Sequence, residues 1–256
     1  MPVNPLNKFH SSMNSAVMIS LPPHRPFLLS DLGLPVPLKI AVLAPHPDDF
    51  DAIGVTLRRL HEQGHEIHLA VLTAGANGIE DGWNGLHDVR AKAEAREAEQ
   101  RASCEFFGLP ADRLSFLHLW EDEEEEKELA RLREHLLRTA PDMVFLPHGN
   151  DSNKTHRRTY ESFRAIAQSE KLKTLACLNL DAKTVDMRTD MISYFTEEEA
   201  AWKSRLLRFH RSQQERNLQS RGIGFDERVL RVNRESAAKA GGLKPYAEVF
   251  ELQLFT

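Results

Sequence analysis

Leu38-Lys-Ile-Ala-Val-Leu-Ala-Pro-His-Pro-Asp-Asp49 decides the fold of this chain. Leu38 to Ala44 is an apolar run of strand length that Pro45 ends, and a helical pattern follows through Leu57 and Leu60 until Gly64 stops it. A strand that opens directly into an imidazole and two carboxylates is how an α/β sheet presents chemistry at its carboxyl edge.

The alternation continues along the chain. Residues 66–73 read as a second strand, followed by the glycine-rich Ala74-Gly-Ala-Asn-Gly78 and a long charged helix from His87 to Phe107 closed by Gly108. A third strand is predicted over 113–119, a helix over 123–138, a fourth strand over 142–147 and a helix over 156–170. Crossovers long enough to hold helices imply an α/β fold of three layers, a mostly parallel sheet with helices on both faces. Beyond it, strands are predicted at 174–180, 191–195 and 247–255, with one helix over 197–218. Residues 1–37, rich in proline, read as an extended N-terminal arm.

Composition narrows the function. A net charge of -5 provides no overall basic field, so nucleic acid is not an expected partner. No apolar run approaches the ~18 residues of a membrane span, and the short run from Ala16 to Leu21 is too interrupted for a signal sequence. Cys104 and Cys177, the only cysteines, are not spaced as a metal clip or disulfide framework, which fits a cytoplasmic location. The acidic block Glu121 to Lys127 reads as a solvated first helical turn facing the positive end of the helix dipole.

His46 and Asp49 are spaced to hold one cation, with Asp48 between them aimed elsewhere. Either aspartate alone would read as a helix cap; the adjacent histidine favours a metal. The fourth strand ends at Pro147 and delivers His148-Gly-Asn-Asp-Ser-Asn153-Lys-Thr-His156 to the same edge. His156 would complete a two-histidine, one-carboxylate set with an open position for water, the usual pattern of catalytic zinc. Another divalent ion suits the same donors.

These two segments resemble the N-acetylglucosaminylphosphatidylinositol de-N-acetylase (PIG-L) family, also called LmbE-like deacetylases. The resemblance rests on Pro45-His-Pro-Asp-Asp49 and Asp151-Ser-Asn-Lys-Thr-His156, and extends over a single domain from about residue 38 to 256. Weaker echoes are Arg96 with Glu99, Lys203 to Gln213, and Tyr246 to Phe250. The resemblance implies a Rossmann-like fold and a zinc-dependent hydrolase that removes an N-acetyl or other N-acyl group from an amino sugar or glycoconjugate. It implies zinc on His46, Asp49 and His156, and Asp48 as the general base for the attacking water. The chain departs from the family at two points. Phe50 replaces the carboxylate that usually follows the aspartate pair, with Asp51 next to it, and Asn153 and Thr155 replace the histidine and aspartate that usually precede the last ligand. Asn153 or His148 is therefore the expected oxyanion donor, and Asp151 is expected to order the loop or orient a ligand histidine.

Arg96 and Glu99, one turn apart, are expected to form a surface pair, and Lys203, His210, Ser212 and Gln213 to lie on a solvated helix. His118 and Trp120 either rim the pocket or pack beneath it. The Gly75 to Gly78 loop lacks the spacing of a dinucleotide fingerprint, which makes a nucleotide-binding regulator the weakest reading. A metal- and sugar-binding protein with weakened turnover is the main alternative. Oligomeric state is open, a homo-oligomer included.

Overall fold

The computed structural model describes residues 19–120 and 125–256. Residues 1–18 of the arm and residues 121–124 of the acidic block lie outside the described residues. Eight strands form one sheet: β1 (Phe27–Leu28), β2 (Lys39–Ala44), β3 (Glu66–Val71), β4 (Leu114–Phe116), β5 (Met143–Pro147), β6 (Thr174–Asn179), β7 (Met191–Phe195) and β8 (Tyr246–Phe255). Their order is β1-β7-β8-β6-β5-β2-β3-β4, all parallel except β8, which runs antiparallel to both β6 and β7. The last stretch of the arm is thus an edge strand, Phe27 and Leu28 pairing with Met191 and Ile192.

Residue alternation in β2 divides the core between two faces. Ile40, Val42 and Ala44 pack with Phe50, Leu57, Leu60 and Phe107 on one side, while Ala41 and Leu43 join Leu132, Leu136 and Phe163 on the other. The helices are α1 (Asp49–Ala52), α2 (Gly54–Glu62), α3 (Val89–Phe107), α4 (Glu125–Thr139), α5 (Lys154–Ser169), α6 (Glu197–Leu207), α7 (Arg211–Arg221) and α8 (Phe225–Lys239). The α/β expectation holds. The single helix predicted over 197–218 is two helices, because the chain turns at Arg208–His210 to drive His210 fully inside. Helix α8 was not foreseen: its apolar residues are few, and its inward face is partly polar, through Asp226, Asn233 and Ser236.

The arrangement of connections positions the site. From β2 the chain proceeds to β3 and β4 on one side, and from β5 to β6 on the other, so the crevice between β2 and β5 is a topological switch point. With Val42 opposite Phe145, the segments that follow β2 and β5 leave the sheet side by side.

On the opposite face from α2, His135 of α4 is 3% exposed and its Nε2 has no hydrogen-bond partner among the described residues. Burial, reinforced by Arg138 and His68, pushes its pKa from the ordinary 6.5 down to about 4. A depressed histidine contributes stability that is complete above pH 6.5 and lost as pH falls through 4. Denaturant titrations should show up to about 3 kcal/mol lost over that window through this group. His135→Leu should flatten the acid limb, and an unchanged limb would refute the assignment.

Candidate active site

His46 sits on the turn between β2 and α1, where its backbone N–H and its Nδ1 both reach Asp49 Oδ2, at 2.8 and 3.1 Å. His156, on the first turns of α5, brings Nε2 to 3.6 Å from Asp49 Oδ1, and the two imidazoles lie 5.4 Å apart. One donor atom from each of His46, Asp49 and His156 falls within 4.8 Å of the others. The turn is therefore not a helix cap: Asp48 makes no side-chain cap bond to α1, and Asp49 binds back to His46.

Charge is concentrated here. Burial pushes the Asp49 carboxyl up, but the His156 charge and hydrogen bonds from His46 outweigh it and hold it well below the usual carboxylate range. Burial likewise pushes His156 down, yet Asp49, Asp151 and Asp181 together raise it to about 9. An imidazole so strongly drawn to positive charge by carboxylates is what a divalent-cation site looks like when a proton takes the cation's place. The donor set thus fits a metal. His156 Nδ1 lies 3.3 Å from Asp151 Oδ2 and 3.8 Å from Asp181 Oδ2, so carboxylates back the ring on the side away from Asp49.

Asp48 occupies an unusual backbone position, φ 113°, which costs a non-glycine residue about 1–3 kcal/mol. Its neighbours fix it there. The Asp48 N–H donates to Gln100 Oε1 at 2.9 Å, while Arg96 Nη2 donates to Asp48 Oδ2 at 3.0 Å and to the Pro47 carbonyl. Arg96 also lies 3.6 Å from Glu99, which accepts from the Ser212 N–H and hydroxyl at 2.7 and 2.8 Å. The expected surface pair is instead buried, Arg96 at 2% and Glu99 at 9% exposure. Lys92, Arg96, Glu99, Gln100 and Ser103 form one polar stripe along α3 turned toward the protein interior.

Lys203, His210, Ser212 and Gln213 are likewise buried rather than solvated. His210 Nε2 lies 2.7 Å from Asp51 Oδ2, and Gln100 Nε2 donates to the same oxygen at 3.1 Å. Lys203 Nζ donates to Glu248 Oε1 and Asn233 Oδ1, both at 2.7 Å, and Glu248 in turn accepts from the N–H groups of Val55 and Thr56 at the start of α2. A lysine or histidine on a charged helix reads as solvated unless its distant partner is known, and these partners lie 45 and 159 residues away.

A cavity of about 1170 Å³ opens beside His46, Asp48, Asp49 and His156. Asn153 lines it, its Oδ1 capping α5 through the Thr155 N–H at 3.0 Å, which leaves its amide Nδ2 as a donor. His118 and Trp120 also line it, as do Gly75 and Gly78. His148 turns elsewhere: its Nδ1 accepts from the Asn150 N–H, its Nε2 lies 3.5 Å from Glu251, and it is not among the cavity residues. Asp181 was overlooked in the sequence, although it closely follows the end of β6, the strand beside β5, where the carboxyl-edge rule would have flagged it.

Residues 41–167 match the family model PIG-L: GlcNAc-PI de-N-acetylase. Among solved structures, the N,N'-diacetylchitobiose deacetylase of Pyrococcus horikoshii is 20% identical, with 85% of this chain and 84% of that one covered at a TM-score of 0.69. The 4-carboxy-2-hydroxymuconate hydratase of Pseudomonas putida is 18% identical over 84% of this chain and 96% of that one, at 0.66. The zinc-inhibited form of a teicoplanin deacetylase is 13% identical over 84% and 98%, at 0.62. At these identities the likeness is one of fold. A glucosamine-6-phosphate deaminase-like protein of Bacteroides thetaiotaomicron is 46% identical over 48 residues, which is 18% of this chain and only 7% of that protein's length. Residues 41–167, which carry the match to the PIG-L model, span both polar segments of the site.

Proposed function

We propose that this chain is a zinc-dependent hydrolase that removes an acetyl group from the nitrogen of an amino sugar or glycoconjugate. The observation that carries the reading is the convergence of His46, Asp49 and His156, with Asp48 beside them, on one large cavity. The three would hold the ion, which when bound supplies an acidified water and a Lewis acid for the acyl oxygen. The match to the PIG-L family model and the two deacetylases of like fold support acyl removal from sugars. The hydratase of like fold marks water addition as a chemistry the same scaffold hosts.

The chain's own residues have separable tasks. Asp48 takes the proton from the attacking water and returns it to the departing nitrogen. Its Oδ2 is held by Arg96, while its Oδ1 takes no hydrogen bond among the described residues and is the oxygen left for water. Arg96 is a positioning residue, fixing both the carboxylate and the preceding carbonyl. Asn153 donates to the acyl oxygen as negative charge develops on it, while its own Oδ1 keeps the start of α5 in place. Asp151 holds His156 in the orientation and tautomer that presents Nε2.

Elemental analysis of the purified protein should find one zinc, lost in His156→Ala, and the zinc-loaded protein should release acetate from N-acetylglucosamine derivatives. A protein that takes up no divalent ion when offered one would end the hydrolase reading; full occupancy without acetate release would favour a binding protein weakened at Asn153 and Thr155.

Arg96→Lys keeps the charge but not the paired donors, so kcat should fall about a hundredfold with KM and zinc content little changed. Equal turnover in this variant would remove the positioning role. Asn153→Asp retains the cap but not the donor and should lose about a hundred- to a thousandfold in kcat; a loss below threefold would assign the oxyanion elsewhere.

A further inference from the structure

The cavity wall away from the ligand turn has a charge balance that amide hydrolysis does not require. Three of the arginines that line the cavity are ion-paired with carboxylates: Arg96 with Asp48 and Glu99, Arg90 with Glu94, and Arg216 with Glu80. Lys154, Lys183, Arg221 and Arg228 line the same cavity and form no salt bridge among the described residues. The cavity carboxylates are already engaged: Glu97 with Arg101 and His118, Asp88 as the cap of α3, and Asp49 and Asp181 facing His156. A divalent ion on His46, Asp49 and His156 would leave the cavity more positive still.

Arg228 is the centre of this surplus. It is half-buried on α8, and among the described residues its one side-chain hydrogen bond is a long one, from Nη1 to Asn217 Oδ1 at 3.5 Å, which leaves most of a five-donor guanidinium unspent. Val229 and Val232, on the same helix, line the cavity beside it and give that wall an apolar surface on which a charge interaction is less screened. Arg228, Asp181 and His156 line the same cavity. Lys183 comes from the loop that carries Asp181, and its carbonyl accepts from the Ser152 N–H at 2.9 Å, tying it to the segment that holds His156. Arg228, Arg221 and Lys183 all follow residue 167, outside the stretch that matches the family model.

We propose that Arg228 and Lys183, with Arg221 at the rim, form an anion subsite that selects an amino sugar bearing a carboxylate or phosphate. A guanidinium fork matches either anion bidentately, and the flanking cations speed encounter in a salt-dependent manner. The subsite narrows the substrate class of the deacetylase reading on which it rests, but anion binding can be measured without turnover.

Calorimetric titration of glucosamine, glucosamine 6-phosphate and muramic acid into the full chain tests it, the last two separating phosphate from carboxylate. At least one anionic sugar should bind about tenfold or more tighter than glucosamine, and the preference should shrink as sodium chloride is raised. Arg228→Ala/Lys183→Ala should abolish the preference with zinc content unchanged, while His156→Ala should retain it. Equal binding of all three sugars, no binding of any, or a preference that survives the double variant overturns the subsite. A preference lost in His156→Ala overturns it too, by placing the anion on the metal. Acetate release from N-acetylglucosamine tests the deacetylase reading separately: its absence with anion selectivity intact rejects that reading and leaves the subsite standing.

Discussion

The buried guanidinium of Arg96 is the interaction on which the arrangement of the site depends. A strained aspartate cannot hold itself at φ 113° between Pro47 and the Asp49 carboxylate; something must bind the turn from outside. Arg96 does so through the Pro47 carbonyl and Asp48 Oδ2, and Gln100, one turn later, holds the Asp48 N–H. A charge 2% exposed costs several kcal/mol to desolvate unless it is compensated, and Asp48 and Glu99 provide that compensation. Glu99 then requires donors, found at the start of α7 in Ser212. Gln100 reaches Asp51, and Asp51 requires His210. Helices α3 and α7 are thus fastened to the turn after β2 by a chain of polar obligations rather than by apolar contact alone.

A second set of polar contacts fixes the other half of the site. Thr184 pairs as an isolated bridge with Asp151, the Ser152 N–H donates to the Lys183 carbonyl, and the Val185 N–H to the Asn150 carbonyl. The loop after β5 is therefore zipped to the loop after β6. His156 sits between them, and its orientation follows from two strands rather than from one flexible segment. Switch-point topology brings the loops after β2 and β5 together, and these backbone bonds convert proximity into fixed geometry.

What could be read from the sequence follows the distance over which the physics acts. The apolar run of β2, the proline that ends it and the His-Pro-Asp-Asp turn are local, so the α/β layering and the His46, Asp49 and His156 cluster were legible. The buried polar layer was not. Arg96, Lys203 and His210 are hydrophilic residues on charged helices, and their burial depends on Asp48, Glu248 and Asp51, which no periodicity connects to them. The break at Arg208–His210 escaped the reading for the same reason: the helical pattern runs on, and only burial of His210 against Asp51 requires the turn. His148 and Asn153 looked equivalent because both lie in one loop, yet only Asn153 lines the cavity, His148 being drawn toward Glu251 of β8.

The same contacts explain how Thr155 can replace the family's aspartate without an evident loss of order. An acidic side chain next to a ligand histidine can orient the ring or raise its basicity, and here other carboxylates are already placed to do both. Asp151 meets His156 Nδ1 from five residues upstream, and Asp181 approaches the same nitrogen from the next loop. A third carboxylate at position 155 would add charge to a cluster in which burial already pushes Asp181 above the usual carboxylate range, with Asp49 adding to the effect. Asn153 has no such replacement. Its helix-capping oxygen is a structural requirement that asparagine and aspartate both satisfy, but only asparagine also presents a donor to the cavity. The identity of residue 153 is therefore where local folding and the proposed chemistry impose a joint constraint, whereas at 155 the carboxylate's task has passed to another part of the chain.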